Sequence, residues 1–268
     1  MDDFRFRELR PVGKRVLRLG LALNMGIDAD GLRAAADRGV GYFFWPRGAA
    51  EIDGVLKGLC ASERDRIVVA TGPLLGFLGG SVRRSCERAL KALGTDYLDV
   101  FQLFWLGRTS SLSDATMGEL VKLKESGKVR AIGVSIHDRA RAGRLAADSP
   151  LDLLMIRYNA AHPGAERDIF PHLEPRRPAI VAYTATAWRR LLRKPPGWDG
   201  SVMTPGDCYR FCLSSPHVDV TLCGARSRAE LDENLAALDK GPLAADDAWM
   251  REFGRVVHDR GPKLAWSF

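Results

Sequence analysis

Two histidines are placed to move a proton near neutral pH: His137, in the run VSIHD, and His162, in the run NAAHPG. Imidazole is the side chain whose ordinary pKa lies in that range. Each follows a short apolar run that reads as a strand, although His162 also suits a surface or turn-capping role. Phe44, Trp45, Phe104, Trp105, Tyr158, Tyr183 and Trp188 likewise end or follow such runs, with Arg47, Arg157, Arg189 and Arg190 among them. Aromatic faces rimmed by guanidinium groups suit a small aromatic or anionic ligand. The same aromatics equally suit packing beneath loops. Glu166 and Asp168 read as carboxylates at a helix start, where the backbone N–H groups favour negative charge, rather than as catalysts. Cys208 and Cys212 are four apart and would share a helix face, but no second ligand pair accompanies them, so they read as core residues and no metal is expected. The odd count of five cysteines at unrelated spacings points to reduced thiols and a cytoplasmic protein.

The elements that must hold these residues alternate regularly. Phe4 to Val16 reads as a hairpin with a Pro-Val-Gly turn. Strands follow at 17–24, 40–45, 66–71, 97–104, 129–135, 151–158, 179–183 and 218–222. Between them lie helical stripes at 30–38, 52–59, 81–93, 117–123, 138–147, 166–173 and 205–213. An eighth helix covers 227–238 and an added one Ala244–Val257. The clearest pair is SVRRSCERALKALG, whose apolar residues recur at helical spacing up to a glycine stop, followed by a nearly continuous apolar run suited to a strand buried on both faces. Eight alternations with short connections predict an α/β chain forming a single domain over residues 1–268. The architecture is a (β/α)8 TIM barrel with an N-terminal β-hairpin and an extra C-terminal helix. A doubly wound sheet would need fewer strands, and no G-x-G-x-x-G turn follows the first one. In a barrel the candidates above belong at the C-terminal ends of the strands, where such folds carry their sites.

The formal charge is +7, but the basic residues are spread over many helices rather than gathered in one stripe, so no nucleic-acid partner is expected. The excess would help steer an anionic ligand. The first residues, MDDFRFRELR, lack the apolar stretch of a signal peptide, and no apolar run reaches the roughly 20 residues of a membrane span. No membrane partner is expected, and the sequence does not speak to oligomeric state.

The string ALKALGTDYLDVFQLFW resembles a segment of the aldo-keto reductases, as do DRGVGYFFW, KVRAIGVS, YNAAHPGAE and CGARSRAELDENL in the same order. The resemblance runs from about Arg7 to Leu238 and implies the barrel independently. In that family a nicotinamide passes hydride to a carbonyl, and a tyrosine supplies the proton. A lysine paired with an aspartate lowers the tyrosine's pKa, and a histidine orients the substrate. The matching positions here are Phe44 for the aspartate, Arg47 for the tyrosine (Ala49 with a one-residue gap), Gly72 for the lysine and Phe104 for the histidine. The resemblance therefore implies a scaffold without the usual proton relay. For the cofactor, NADP(H), it implies Gly224, Arg226, Ser227, Glu230 and Asn234 at the adenosine 2′-phosphate, and Ser135, Asn159 and Tyr183 around the nicotinamide. Free N–H groups at a helix start beside arginines suit a phosphate, while Ser227 and Glu230 also make a plain capping box. Ile136 and Arg157 replace two polar members of the nicotinamide clamp. The expectation is an NADP(H)-binding relative, redox-inactive or with altered chemistry. Its rivals are an enzyme with a rebuilt site drawing on His137, Arg157 or His162, and a non-catalytic interaction protein.

Overall fold

The computed structural model describes residues 4–244 and 248–261. The chain opens with an antiparallel hairpin, β1 (Phe6–Leu9) and β2 (Lys14–Leu17), turned by one 3-10 turn at Arg10–Val12 and by Gly13 at φ +64°. Eight parallel strands follow: β3 (Leu19–Ala22), β4 (Tyr42–Phe44), β5 (Val68–Thr71), β6 (Leu98–Leu103), β7 (Val129–Ile136), β8 (Leu153–Arg157), β9 (Ala179–Tyr183) and β10 (Val220–Cys223). Each pairs with its successor, and β10 returns to β3 with Thr221 beside Leu19, closing the barrel. The helices are α1 (Ala29–Asp37), α2 (Ala50–Ser62), α3 (Gly79–Leu93), α4 (Asp114–Glu125), α5 (Arg139–Ala147), α6 (Ala165–Asp168), α7 (Pro205–Leu213), α8 (Arg228–Ala236) and α9 (Trp249–Asp259). The expected barrel and hairpin are therefore present. The added helix begins at Trp249 rather than Ala244, and residues 245–247 of its expected span lie outside the described residues. The helix expected over 166–173 breaks into α6 and a 3-10 turn at Phe170–His172, because Pro171 has no N–H to continue it.

Local chemistry accounts for these boundaries. In α3, Val82, Cys86, Ala89 and Leu93 recur at helical spacing and are buried; Gly94 then takes φ +63° and its N–H bonds the Leu90 carbonyl. Ser113 and Thr116 form a reciprocal capping box on α4, as do Thr204 and Asp207 on α7. Along the strands, alternation separates two cores. Tyr42, Val68, Ala70, Val100, Ala131, Met155, Val181 and Leu222 fill the barrel, with Phe44 and Tyr183 packed on them. Phe43, Phe101, Ile132, Leu154 and Ile180 belong to the larger layer beneath the helices.

At the N-terminal end the hairpin plugs the barrel, burying Leu9 and Val16 in its interior. It is fastened there by Asp99, which is fully buried. One oxygen meets Lys14 Nζ at 2.6 Å, while the other meets Arg64 at 2.7 Å and accepts from the Val69 N–H at 2.9 Å. Lys14 also donates to the carbonyls of Arg64 and Ile67. The opposite, C-terminal end is left for the site.

Candidate active site at the barrel mouth

Three neighbouring strands deliver the polar groups. With a period of two, the inward positions at the ends of β7, β8 and β9 are Ser135 and His137, Arg157, and Tyr183. The Tyr183 hydroxyl lies 2.8 Å from His137 Nε2, and the rings meet edge to face at 5.6 Å. Burial, reinforced by Arg157 and Arg108, lowers the His137 pKa to about 4, so the ring is neutral at pH 7. Burial raises that of Tyr183, which keeps its proton. A neutral phenol and a neutral imidazole thus share one hydrogen bond beside a guanidinium. Below them, Ser135 Oγ is buried and accepts from the Trp105 N–H at 3.3 Å.

Across the mouth the surface is apolar. Phe44 and Phe104 meet edge to face at 5.4 Å. A Cβ on Gly72 would overlap the Gln102 carbonyl oxygen and crowd the Phe104 ring, so this position admits only glycine as the backbones now run. Arg47 sits away from this group, exposed on the loop before α2 at φ +68°. Two aromatics expected at the mouth are not there. Trp45 lies in the layer beneath the helices and donates to Asp53 at 2.7 Å. Tyr158 packs in that same layer against Phe170 and Phe211, its hydroxyl 2.6 Å from Glu166. The reason is strand alternation: each follows an inward residue, Phe44 or Arg157, and so points outward.

His162 occupies the loop after β8, beside rather than inside the mouth. Asn159, fully buried, donates to the Thr184 carbonyl at 2.7 Å and presents Oδ1 to His162 Nδ1 at 3.0 Å. Since Nδ2 is the donor, Oδ1 must accept, so His162 carries its proton on Nδ1. Burial first, then Arg157, lowers the His162 pKa to about 3. Glu166 is forked by Arg251 at 3.1 and 3.0 Å, and Asp168 is held by Arg139 and Arg167, which bring its carboxyl down to about 2. Neither carboxylate is free for proton transfer.

At the expected phosphate end, Ser227 Oγ caps the Glu230 N–H at 3.2 Å. The Glu230 carboxylate in turn accepts from both the backbone and the guanidinium of Arg226, each at 2.9 Å. Arg226 and Ser227 are exposed. Asn234 is buried and hydrogen-bonds the Cys223 thiol, and Gly224 packs against Met25, which a Cβ would strike. All five cysteines are free and buried, with Cys212 Sγ bonded to the Tyr158 carbonyl at 3.1 Å. Among the described residues no group of three or more His, Cys, Asp or Glu side chains is placed to hold a metal ion.

Two further features of this end have no sequence signature. Arg47, Trp105, Thr184, Ala187, Trp188 and Arg189 all take positive φ on loops that follow strands. Such outliers in non-glycine residues cluster at functional sites. The exposed large apolar side chains among the described residues, Met25, Leu74, Leu75, Phe77, Leu78, Trp105 and Trp188, also all lie on these loops.

Comparisons with known proteins point to one family. The aldo/keto reductase family model matches residues 63–194. The aldo-keto reductase YhdN of Bacillus subtilis is 27% identical over 130 residues, covering 45% of this chain and 39% of that one. The methylglyoxal reductase YeaE of Escherichia coli is 30% identical over 118 residues, 43% of this chain and 41% of that one. The matched region therefore spans about two fifths of these curated relatives. Among solved structures, an aldo-keto reductase from Klebsiella pneumoniae in complex with NADPH superposes with a TM-score of 0.73 at 23% identity, covering 92% of this chain and 93% of that one. A glycerol dehydrogenase from Gluconobacter oxydans reaches 0.77 at 18% identity, with 98% of each chain covered. These comparisons make the chain a relative of the aldo/keto reductases over residues 63–194, about half of its length.

Proposed function

We propose that this chain is an aldo/keto reductase that binds NADP(H) at its barrel mouth and lacks the family's usual proton relay. The observation that carries the reading is the pairing of an apolar wall with a forbidden position. Phe44 and Phe104 are in ring contact, and Gly72 has the Gln102 backbone where a side chain would begin. A lysine at residue 72 would have to displace a strand, so the ammonium that lowers the pKa of the family's tyrosine has no place here. The fit to the cofactor is uneven. Arg226 and Ser227 are exposed at the start of α8, where N–H groups and a guanidinium suit the adenosine phosphate. At the nicotinamide end Asn159 and Ser135 are engaged within the protein, leaving Tyr183 as the aromatic surface. When bound, the cofactor would supply a hydride. The chain's own residues would hold its phosphate and keep water from the mouth with Phe44, Phe104 and Trp105.

A second reading follows from the bond between Tyr183 and His137. A phenol and a neutral imidazole 2.8 Å apart, with Arg157 on the intervening strand, form a proton-transfer pair. With a pKa near 4, His137 is neutral at pH 7 and can there only accept a proton, as a weak base. It would serve removal of a proton from a substrate, with Arg157 stabilising the negative charge left behind.

One titration separates these readings. NADPH added to the protein should quench tryptophan emission, and Arg226→Ala should weaken binding about tenfold, the size of one lost charge-assisted hydrogen bond. Arg228→Ala should change it little. Absence of quenching and of any thermal shift at saturating NADPH would remove the first reading. Substrate-dependent reduction of NADP+ that His137→Gln and Arg157→Ala abolish would replace it with the second.

A further inference from the structure

Beside the mouth, between the loop after β8 and α9, lies a cavity of about 220 Å3. The charged and titratable side chains among the described residues that line it are Arg139, His162, Arg167, Arg251, Arg255 and His258, with no carboxylate among them. The acids stand behind the arginines and aim them: Asp168 holds Arg139 and Arg167, Glu166 holds Arg251, and Asp259 holds Arg255 at 3.6 Å. Cations face the cavity on several sides, so a metal ion is disfavoured and an anion is drawn in.

His162 gives this cavity a chemical preference beyond charge. Its ring is fixed by three contacts: Nδ1 on Asn159, an edge-to-face approach of Trp188 at 6.3 Å, and another of His258 at 5.3 Å. Trp188 is kept in place by left-handed backbone at Ala187, Trp188 and Arg189, a conformation that costs free energy in each residue. Because Asn159 commits the proton to Nδ1, Nε2 is left as a lone-pair acceptor. The site therefore combines guanidinium donors with one acceptor. Its complement is an oxyanion that also carries an O–H.

We infer that this cavity binds inorganic phosphate, whose dianion keeps one P–OH at neutral pH, at a site separate from the phosphate end of the cofactor reading. The arginines take the charged oxygens, and His162 Nε2 accepts the P–OH. Sulfate has the same shape and charge but no O–H at neutral pH, so it lacks the second half of the recognition.

Calorimetric titration of the full chain with inorganic phosphate, sulfate and glycerol phosphate tests this. Phosphate should bind about tenfold more tightly than sulfate, the equivalent of one additional hydrogen bond to a charged group. His162→Phe keeps the ring but removes the acceptor, and it should erase that preference. Arg255→Gln, on the exposed face of α9, should weaken both anions while leaving the thermal midpoint unchanged. Arg226→Ala should leave phosphate binding as it is. Glycerol phosphate, a monoester whose second pKa of about 6 leaves it mostly without a P–OH at neutral pH, should bind as weakly as sulfate, and binding of it as tight as that of phosphate would overturn the role given to His162. Equal binding of phosphate and sulfate, no binding at 10 mM (about the weakest affinity such a site would show), or phosphate binding lost in Arg226→Ala but retained in Arg255→Gln would overturn it.

Discussion

Asn159 and Gly72 illustrate how far a side chain's role depends on what its neighbours have already claimed. Asn159 has a carboxamide of the kind that could hold a nicotinamide, yet its N–H bonds Thr184 and its oxygen bonds His162. Gly72 holds its position because the Gln102 carbonyl leaves no room for a Cβ. Gly72→Ala should therefore lower stability by about 2–4 kcal/mol, a backbone overlap in a closed barrel, as read from urea denaturation. Phe104→Leu at the same rim should cost about 1 kcal/mol. His137 and His162 make a prediction about pH. Both have folded pKa values lowered from 6.5, to about 4 and about 3. Between those values the unfolded chain binds more protons than the folded one, so stability should fall as pH drops from about 6.5 toward 4, by up to about 1.4 kcal/mol per pH unit for each histidine. His137→Gln should remove part of that slope. A stability curve flat across this window in urea unfolding would contradict the lowered values. Much of this residue-level arrangement was within reach of the sequence. Alternation along 42–45 and 155–158 assigns Trp45 and Tyr158 to the outer layer, and successive strand ends bring His137, Arg157 and Tyr183 together. The left-handed backbone at Trp105 and Trp188 carries no such signal, because no glycine marks it.

At the scale of elements, periodicity and glycine stops predicted the architecture well. The ends of α1, α3 and α4 fall at or just before Gly39, Gly94 and Gly127, all at positive φ. What periodicity could not supply was the reason the hairpin stays on the barrel. Lys14 is on β2 and Arg64 follows α2, and their meeting on Asp99 of β6 is a tertiary fact. Removing that carboxylate strands two cations in a largely buried setting, so Asp99→Ala should cost about 3–5 kcal/mol. Proteolysis at the hairpin should then become fast relative to the wild-type chain. If Asp99→Ala unfolds at the same denaturant concentration as the wild type, the staple is not what holds the plug.

For the whole molecule, polarity is arranged by face. One end of the barrel is sealed by ionic and apolar contacts of the hairpin. The other carries the exposed Leu74, Leu75, Phe77 and Leu78 on an uncharged stretch from Gly72 to Gly80. Large apolar side chains exposed this close together in sequence are uncommon on a folded chain. Leu75→Ser combined with Phe77→Ser should reduce binding of a hydrophobic dye and retention on a hydrophobic column, while changing stability by less than about 0.5 kcal/mol. A large loss of stability would instead mean that the loop belongs to the core.

The closing pair of the barrel has a consequence for how the chain is made. β3 finds its second partner only in β10, and Arg18, just before β3, donates to the carbonyls of Leu213, Val218 and Asp219. During vectorial synthesis the first strand therefore leaves the ribosome long before its last neighbour exists. Until then its edge is open, an invitation to pair with another nascent chain. Whatever occupies that edge in the meantime, a chaperone or the polypeptide's own later segments, governs how much of each round of translation ends as a closed ring.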